Sequence, residues 1–306
     1  MKLAEHLADL LCERADVDAA IFVLDGDLAD SNGADRFAVR HPERFLMAGI
    51  AEQNLLGVSA GMASTGLKPW AFSFAAFLVY RAYDQIRVSV AQSLQPVVLV
   101  GSHAGALAAR NGKSHATMND IALMSTLPQM NVYAPADRGD IAWLVPELSM
   151  HPRAAYLRLP RADIDALPAL GGEPGPVRIL APPAPRTIIS TGLATHWAAA
   201  LVLALAAQGE TVGLIHIPQL KPLPDLESLL EGVHTLISIE DHIVLGGLGT
   251  LLQDRFPARP ITKLGWPVSF AGASGSDEDL RRAHMLDPAS LLRAVSCAEL
   301  QRRHAC

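Results

Sequence analysis

Short apolar runs recur along the chain, each closed by a turn-forming residue: IFVL at 21–24, WAFSF at 70–74, PVVLV at 96–100, MNVYA at 130–134 and AYLRL at 155–159. Runs of this length bounded by Gly, Pro, Asp or Asn predict buried strands. Helix-length segments lie between them at 52–65, 77–93, 117–127 and 137–149. Strands and helices in alternation predict a parallel α/β sheet. Asp137 and Asp140 stand where helix-entry residues belong. From about 166 to 186 the chain reads ALPALGGEPGPVRILAPPAPR, so rich in Pro and Gly that neither a helix nor a central strand propagates. Alternation then resumes with TIIS at 187–190, a helix over 194–208, TVGLIHI at 211–217, a helix near 225–232, HTLISIE at 234–240, a helix over 247–255, ITKLG at 261–265 and a closing helix over 288–304. The expected division is a first domain over 1–165, a linker over 166–186 and a smaller α/β domain over 187–306.

One polar residue breaks the pattern. In AGIAEQNLLGVSAGMASTG at 48–66, Glu52 is the single acid among small and apolar neighbours. A carboxylate entering a packed interior is costly unless paired, so Glu52 is either a helix-start charge or meets a specific partner. Ligands of open parallel sheets gather at the carboxyl ends of the strands, and several loops there carry chemistry. DGDLADSNG follows the strand at 21–24, AAFLVYRAYDQIR follows 70–74, and GSHAGALAARNGKSHATMND follows 96–100. Periodicity thus puts Glu52, Asp27, His103 and His115 on one rim. Phe74, Phe77 and Tyr80 fall three apart, which sets Phe77 and Tyr80 on one helix face with Phe74 at the strand end. Such a stripe is either core packing or a wall for a flat ring. His103 and His115 are loop histidines, solvated polar groups or proton shuttles that titrate near neutrality. Asp27 and Ser31 read as turn formers or site residues, and Arg161 as a surface charge or a two-pronged anion ligand. Glu240, Asp241 and His242 read as a strand-to-helix turn without catalytic role.

Composition narrows the function classes. The chain has 306 residues, 50% hydrophobic and 18% charged, with material for two cores. Its 25 basic and 31 acidic residues give a net charge of −6, and no basic run offers a footprint for nucleic acid. Cys12, Cys297 and Cys306 show no metal-ligand or disulfide spacing, which points to a reducing cytoplasm. Glu5, His6, Asp9 and Glu13 interrupt any leader-like apolar region near the N-terminus. The longest apolar run, WAAALVLALAA at 197–207, is about half of the roughly 20 residues a membrane span needs. Neither nucleic acid nor membrane is therefore an expected partner.

The ordered set GIAEQNLLGVSAGMASTG, Phe74-x-x-Phe77-x-x-Tyr80, YDQIR, SHAG, NGKSHATMNDIALM and VYAPAD resembles the C-terminal half of a transketolase. DLADSN, LRLPR and EDHIVLGGLG extend the resemblance over nearly the whole chain. It implies a thiamine-diphosphate-binding, pyrimidine-type parallel-sheet domain followed by the smaller α/β transketolase C-terminal domain. In similar proteins the glutamate matching Glu52 binds a nitrogen of the coenzyme's aminopyrimidine and shifts it to the imino tautomer, which removes a proton from the thiazolium carbon. An apolar pocket would raise such a carboxyl's pKa and ready it for proton sharing. The resemblance further implies that Phe77 stacks on the aminopyrimidine with Phe74 and Tyr80 completing the wall, that Asp27 faces the thiazolium, and that Ser31 and Arg161 bind the sugar phosphate. His115 would handle protons on the donor's oxygen, and His103 would contact the sugar. Where transketolases show Gly-Glu-Asp-Gly-Pro-Thr-His-Gln, this chain has AARNGKSHA, so Asn111 replaces an acid that reads a substrate hydroxyl and Ala116 replaces the glutamine. An amide presents donors as well as an acceptor, which leaves substrate choice open.

The Gly-Asp-Gly motif with downstream Asn that holds diphosphate and Mg²⁺ in this family is missing; GDL at 26–28 is not one. The resemblance therefore implies a split enzyme, in which an N-terminal partner subunit grips the diphosphate and Mg²⁺ while this chain activates the pyrimidine, with two copies of each subunit. Three alternatives stay open: the β subunit of a 2-oxoacid dehydrogenase, a non-catalytic interaction protein that keeps the fold, and a transketolase specialised for an unusual acceptor, such as one presented by a carrier protein. SHAG with NGKSHATMNDIALM favours transketolase over the first.

Overall fold

The computed structural model of the chain describes residues 2–106, 111–161, 164, 167, 172–269 and 276–303, with side chains to 297. Its strands are β1 (Ile21–Asp25), β2 (Phe45–Met47), β3 (Lys68–Phe74), β4 (Val98–Ala104), β5 (Asn131–Tyr133), β6 (Ala155–Pro160), β7 (Arg178–Ala181), β8 (Arg186–Ser190), β9 (Gly213–His216), β10 (Gln219–Lys221), β11 (Thr235–Ile243) and β12 (Ile261–Trp266). They form two sheets, ordered β10-β5-β6-β4-β3-β1-β2 and β12-β11-β8-β9-β7. Every pairing is parallel except β10 with β5 and β7 with β9.

The central strands are apolar on both faces, as sheets covered on two sides require. Ile21 and Val23 of β1 point into one core while Leu24 points into the other. Each core draws residues from both sheets, so the two lobes share their packing. Helix Leu3–Val17 buries Leu3, Leu7 and Leu11 at four-residue spacing on the first of these cores. Helix Glu52–Ser64 buries Glu52, Leu55, Leu56, Ser59, Ala60 and Ala63 on one face.

The expected strands and most of the expected helices form, with four departures. The segment 77–93 is interrupted: helix Ala75–Arg81 stops, and a short turn at Tyr83–Gln85 leads into a widened π-type stretch at Ile86–Gln92. At the break the Arg81 carbonyl accepts Gln53 Nε2 at 3.1 Å. Near 225–232 only a single 3₁₀ turn forms, at Ser228–Leu230. Asp225 accepts the Glu227 amide there through its side chain, a local bond that competes with a helical turn. Within the Pro/Gly-rich segment, Arg178–Ala181 forms β7, which runs at the sheet's edge, where neighbouring prolines do least harm. Glu240, Asp241 and His242 belong to β11 with buried side chains, correcting the expected turn.

Two buried polar networks sew the lobes together. In the first, Arg158 Nε donates to both oxygens of Asp120 at 2.9 and 3.2 Å, and its Nη2 donates to the Asp241 carbonyl at 2.7 Å. Tyr156 Oη donates to Asp120 at 2.7 Å and Trp266 Nε1 to Asp241 at 2.7 Å. Gly105, at φ 82°, lies so close that a Cβ there would sit 1.9 Å from Asp241 Oδ2. The glycine of SHAG thus answers the aspartate of EDH across the seam. In the second network, Asp140 bonds His216 Nε2 at 2.9 Å and accepts from Arg178 at 2.7 Å, while Asp137 accepts from Arg178 at 2.8 Å. Asp137 is also the N-cap of helix Arg138–Met150, accepting the Asp140 amide at 3.1 Å.

Candidate active site

Strands β2, β1, β3, β4 and β6 are successive neighbours and parallel, so their carboxyl ends share one rim. Along it lie Glu52, Asp27, Phe74, His103 and Arg161, each within a few residues of its strand's end. Of the four residues expected on one rim, Glu52, Asp27 and His103 stand near strand ends, whereas His115 lies well beyond β4 and meets Phe74 and Phe77 edge-on.

Contacts join part of this set. Phe74 is buried and stacks on His103, with ring centroids 3.9 Å apart and planes at 29°. Phe77 lies 5.8 Å from Phe74 and meets His115 edge-on at 5.1 Å. The guanidinium of Arg81 covers Phe77, its Cζ 4.1 Å from the ring centroid. From there Arg81 Nη1 donates to Glu52 Oε1 and Oε2 at 3.1 and 3.2 Å. Glu52 is only 3% exposed, whereas Arg81 is 48% exposed. A continuous run of contacts therefore leads from His103 through both phenylalanines and Arg81 to Glu52. Of the two readings of Glu52, a helix-start charge or an acid with a specific partner, both hold: it opens helix Glu52–Ser64 and meets the Arg81 cation.

His103 departs from expectation in its titration. Burial, followed by the positive field of Arg161, lowers its pKa to about 4, so the ring is neutral at pH 7 and does not titrate near neutrality. Ser102 Oγ donates to the Ser73 carbonyl at 3.3 Å and lies 3.2 Å from His103 Nδ1. A Ser102 proton kept on the Ser73 carbonyl makes Nδ1 the donor and leaves Nε2 to accept, one of the two tautomers of a neutral ring. His103 and Asp27 both hold positive φ, 55° and 69°, strained for residues with side chains.

Other expected site residues stand apart from this run. Tyr80 turns its hydroxyl to Asn119 and lines a cavity of about 690 Å³ with Lys113, Ala116, Met118, Ile243 and Val268. Ser31 donates to Asp30 Oδ1 at 3.2 Å on the exposed turn after β1. Arg161 Nη1 donates to Asn111 Oδ1 at 3.2 Å. The intervening residues 107–110 lie outside the described residues.

Two residues escaped sequence reasoning. Arg81 follows Phe77 by four, a helical spacing that places it over the ring. Asp25 ends β1 fully buried, accepting the Leu28 amide at 2.6 Å and Asn32 Nδ2 at 2.7 Å, and shapes the loop that carries Asp27. Burial pushes its pKa up to about 6 against those bonds. A second cavity, about 470 Å³, opens beside Glu52 and Arg81 and is lined by Ile50, Ala51, Gln53 and Asn54.

A two-lobed α/β chain with a buried acid and stacked aromatics on the carboxyl rim has the layout of a coenzyme-binding pyrimidine domain joined to a smaller companion. The family comparison agrees: residues 1–165 match the pyrimidine-binding domain of transketolase, and residues 175–291 match the transketolase C-terminal domain. The chain belongs to the transketolase family, whose members use thiamine diphosphate. It is 32% identical to the 6-deoxy-6-sulfo-D-fructose transketolase subunit SqwH of Clostridium sp. (strain MSTE9), over 96% of this chain and 95% of that protein. Its structure is similar to that of a split gene transketolase, solved as an inactive beta4 tetramer, with a TM-score of 0.86 and 30% identity over 97% of this chain and 98% of the other. Against a Pichia stipitis transketolase in complex with sedoheptulose 7-phosphate, the TM-score is 0.82 at 18% identity, over 99% of this chain and 46% of the other, a likeness of fold alone. This chain corresponds to the C-terminal half of such a transketolase. No described helix is long and apolar enough to cross a membrane.

Proposed function

We propose that this chain is the C-terminal subunit of a two-component, thiamine-diphosphate-dependent transketolase of the cytoplasm, which moves a two-carbon ketol unit from a ketose or ketose phosphate to an aldehyde acceptor. The observation that carries the reading is the seat between Glu52 and Phe77. It already accepts a flat, N–H-bearing group, the Arg81 guanidinium, donating to the carboxylate and lying over the ring. An aminopyrimidine occupies the same ring face and the same carboxyl, its ring nitrogen accepting a proton from Glu52 where the guanidinium donates one, so the seat fits the coenzyme. Bound thiamine diphosphate supplies the carbon nucleophile and the electron sink for breaking a carbon–carbon bond.

This chain's residues do the rest. Glu52 holds the pyrimidine nitrogen and shares its proton, Phe77 stacks on the ring, and Phe74 and Tyr80 border it. Asp27 orients the inner face of the site. His103, neutral, accepts a hydrogen bond from the sugar through Nε2, and His115 handles the proton on the donor's oxygen. Ser31, Asn111 and Arg161 contact the donor's distal end, Arg161 through its anion-matching fork. Among the described residues no group of three acidic, histidine or cysteine side chains could hold a metal. The diphosphate and Mg²⁺ belong to an N-terminal partner subunit, in an assembly of two copies of each. The division of the chain at 166–186 is part of the same reading.

The test is purification with the partner subunit followed by thermal denaturation with and without thiamine diphosphate and Mg²⁺. A ligand that binds only the native complex raises its melting temperature. The pair is expected to shift and the chain alone is not. No shift in the pair refutes the reading, and pyruvate decarboxylation without ketol transfer replaces it with a 2-oxoacid dehydrogenase subunit.

A further inference from the structure

We propose that Arg81 is a placeholder for the coenzyme ring, holding Glu52 and covering Phe77 until the aminopyrimidine displaces it. The inference rests on the functional reading above and adds a residue that the family pattern did not assign.

Arg81 occupies the two places the ring needs. Its Nη1 reaches both oxygens of Glu52 at 3.1 and 3.2 Å, and its Cζ lies 4.1 Å from the Phe77 centroid. A guanidinium is planar and sets its edge against a carboxyl and its face over a ring, as an aminopyrimidine does; the ring nitrogen accepts where the guanidinium donates, so Glu52 takes up a proton from solvent on exchange. Two flat groups cannot share one ring face and one carboxylate, so binding is an exchange. The local backbone favours such exchange. Arg81 ends helix Ala75–Arg81, its carbonyl is held by Gln53 Nε2, and its side chain is 48% exposed beside a cavity of about 470 Å³. The guanidinium therefore has water and open space to move into, while its anchor stays fixed. Glu52, only 3% exposed, has no such freedom. Without a partner its carboxylate would be buried and unpaired. Arg81 meets that need in the subunit before the coenzyme arrives, and competes with the coenzyme afterwards.

The competition is measurable as affinity. In the pair formed with the N-terminal subunit, thiamine diphosphate is titrated calorimetrically at saturating Mg²⁺ into wild type, Arg81→Met and Arg81→Lys. Arg81→Met keeps the aliphatic stem and removes the planar cation, so it should bind the coenzyme about tenfold tighter. Arg81→Lys keeps a charge but loses the fork and the flat face, and should fall between wild type and Arg81→Met. Unchanged or weaker binding by a folded, paired Arg81→Met overturns the proposal and leaves the functional reading standing. Should Arg81→Met fail to fold or pair, Arg81→Lys decides, and unchanged or weaker binding by it overturns the proposal. Absence of binding by the wild-type pair overturns both.

Discussion

Glu52 and Asp120 are both buried carboxylates paired with an arginine, yet their surroundings could hardly differ more. Asp120 is inaccessible, and so is nearly all of its partner Arg158, which also grips Asp241. Tyr156 donates to the same carboxylate, so its lone pairs are committed within the seam. Glu52 is equally hidden, but its partner is half in water, its guanidinium lying over the Phe77 ring. A carboxylate fixed by a buried guanidinium is part of the frame that joins two lobes. One held by a half-exposed guanidinium keeps a partner that borders open solvent. Burial alone does not separate structural charges from functional ones; the exposure of the partner does.

The sharpest way to break this comparison is Arg158→Met. It would leave Asp120 and Asp241 buried without their cation, and loss of one partner of such a network costs about 3–5 kcal/mol. Urea unfolding should register that loss, and a change below about 1 kcal/mol would mean the seam is not a framework element. A smaller effect belongs to Glu240, beside Asp241 but without a guanidinium. It accepts only the amides of Leu248 and Gly249, and burial raises its pKa from 4.5 to about 7. The native state therefore keeps a proton that the unfolded chain has released. That stabilisation is full below about pH 4.5 and lost once the pH has risen through about 7, at roughly 1.4 kcal/mol per pH unit within the window. The melting temperature should fall between pH 5 and pH 8, with Asp25 adding in the same direction, and Glu240→Gln should flatten the profile. The smallest stability effect is expected for Glu52→Gln. Its ion pair is discounted by the exposure of Arg81, so unfolding should shift by less than about 1 kcal/mol while coenzyme binding by the pair is lost. A loss of 3 kcal/mol would place Glu52 with Asp120 and erase the distinction.

Much of the architecture was legible because strands buried on both faces announce themselves as apolar runs. IFVL and PVVLV needed only their turn residues to be located. Helix breaks were harder. Nothing in LVYRAYDQIRV says that Gln53, far back in the chain, will take the carbonyl of Arg81. Strand β7 was hidden by its prolines, since an edge strand tolerates what a central one does not. At the site, Glu52, Phe74, Phe77, His103 and His115 came from loop position and motif. Arg81 did not, although its four-residue spacing from Phe77 was in plain view. The neutral state of His103 depends on burial and on Arg161, which follows a different strand, so no local pattern could reveal it.

Strand β10 limits how the lobes can be recombined. Gln219–Lys221 follows the Pro/Gly-rich segment, yet it completes the larger sheet by lying antiparallel to Asn131–Tyr133. A chimera joined within 166–186 would strip that margin and leave its amides open to adhesion between molecules. The lobes are not interchangeable cassettes, and a workable graft has to carry the chain through Lys221 together with its host.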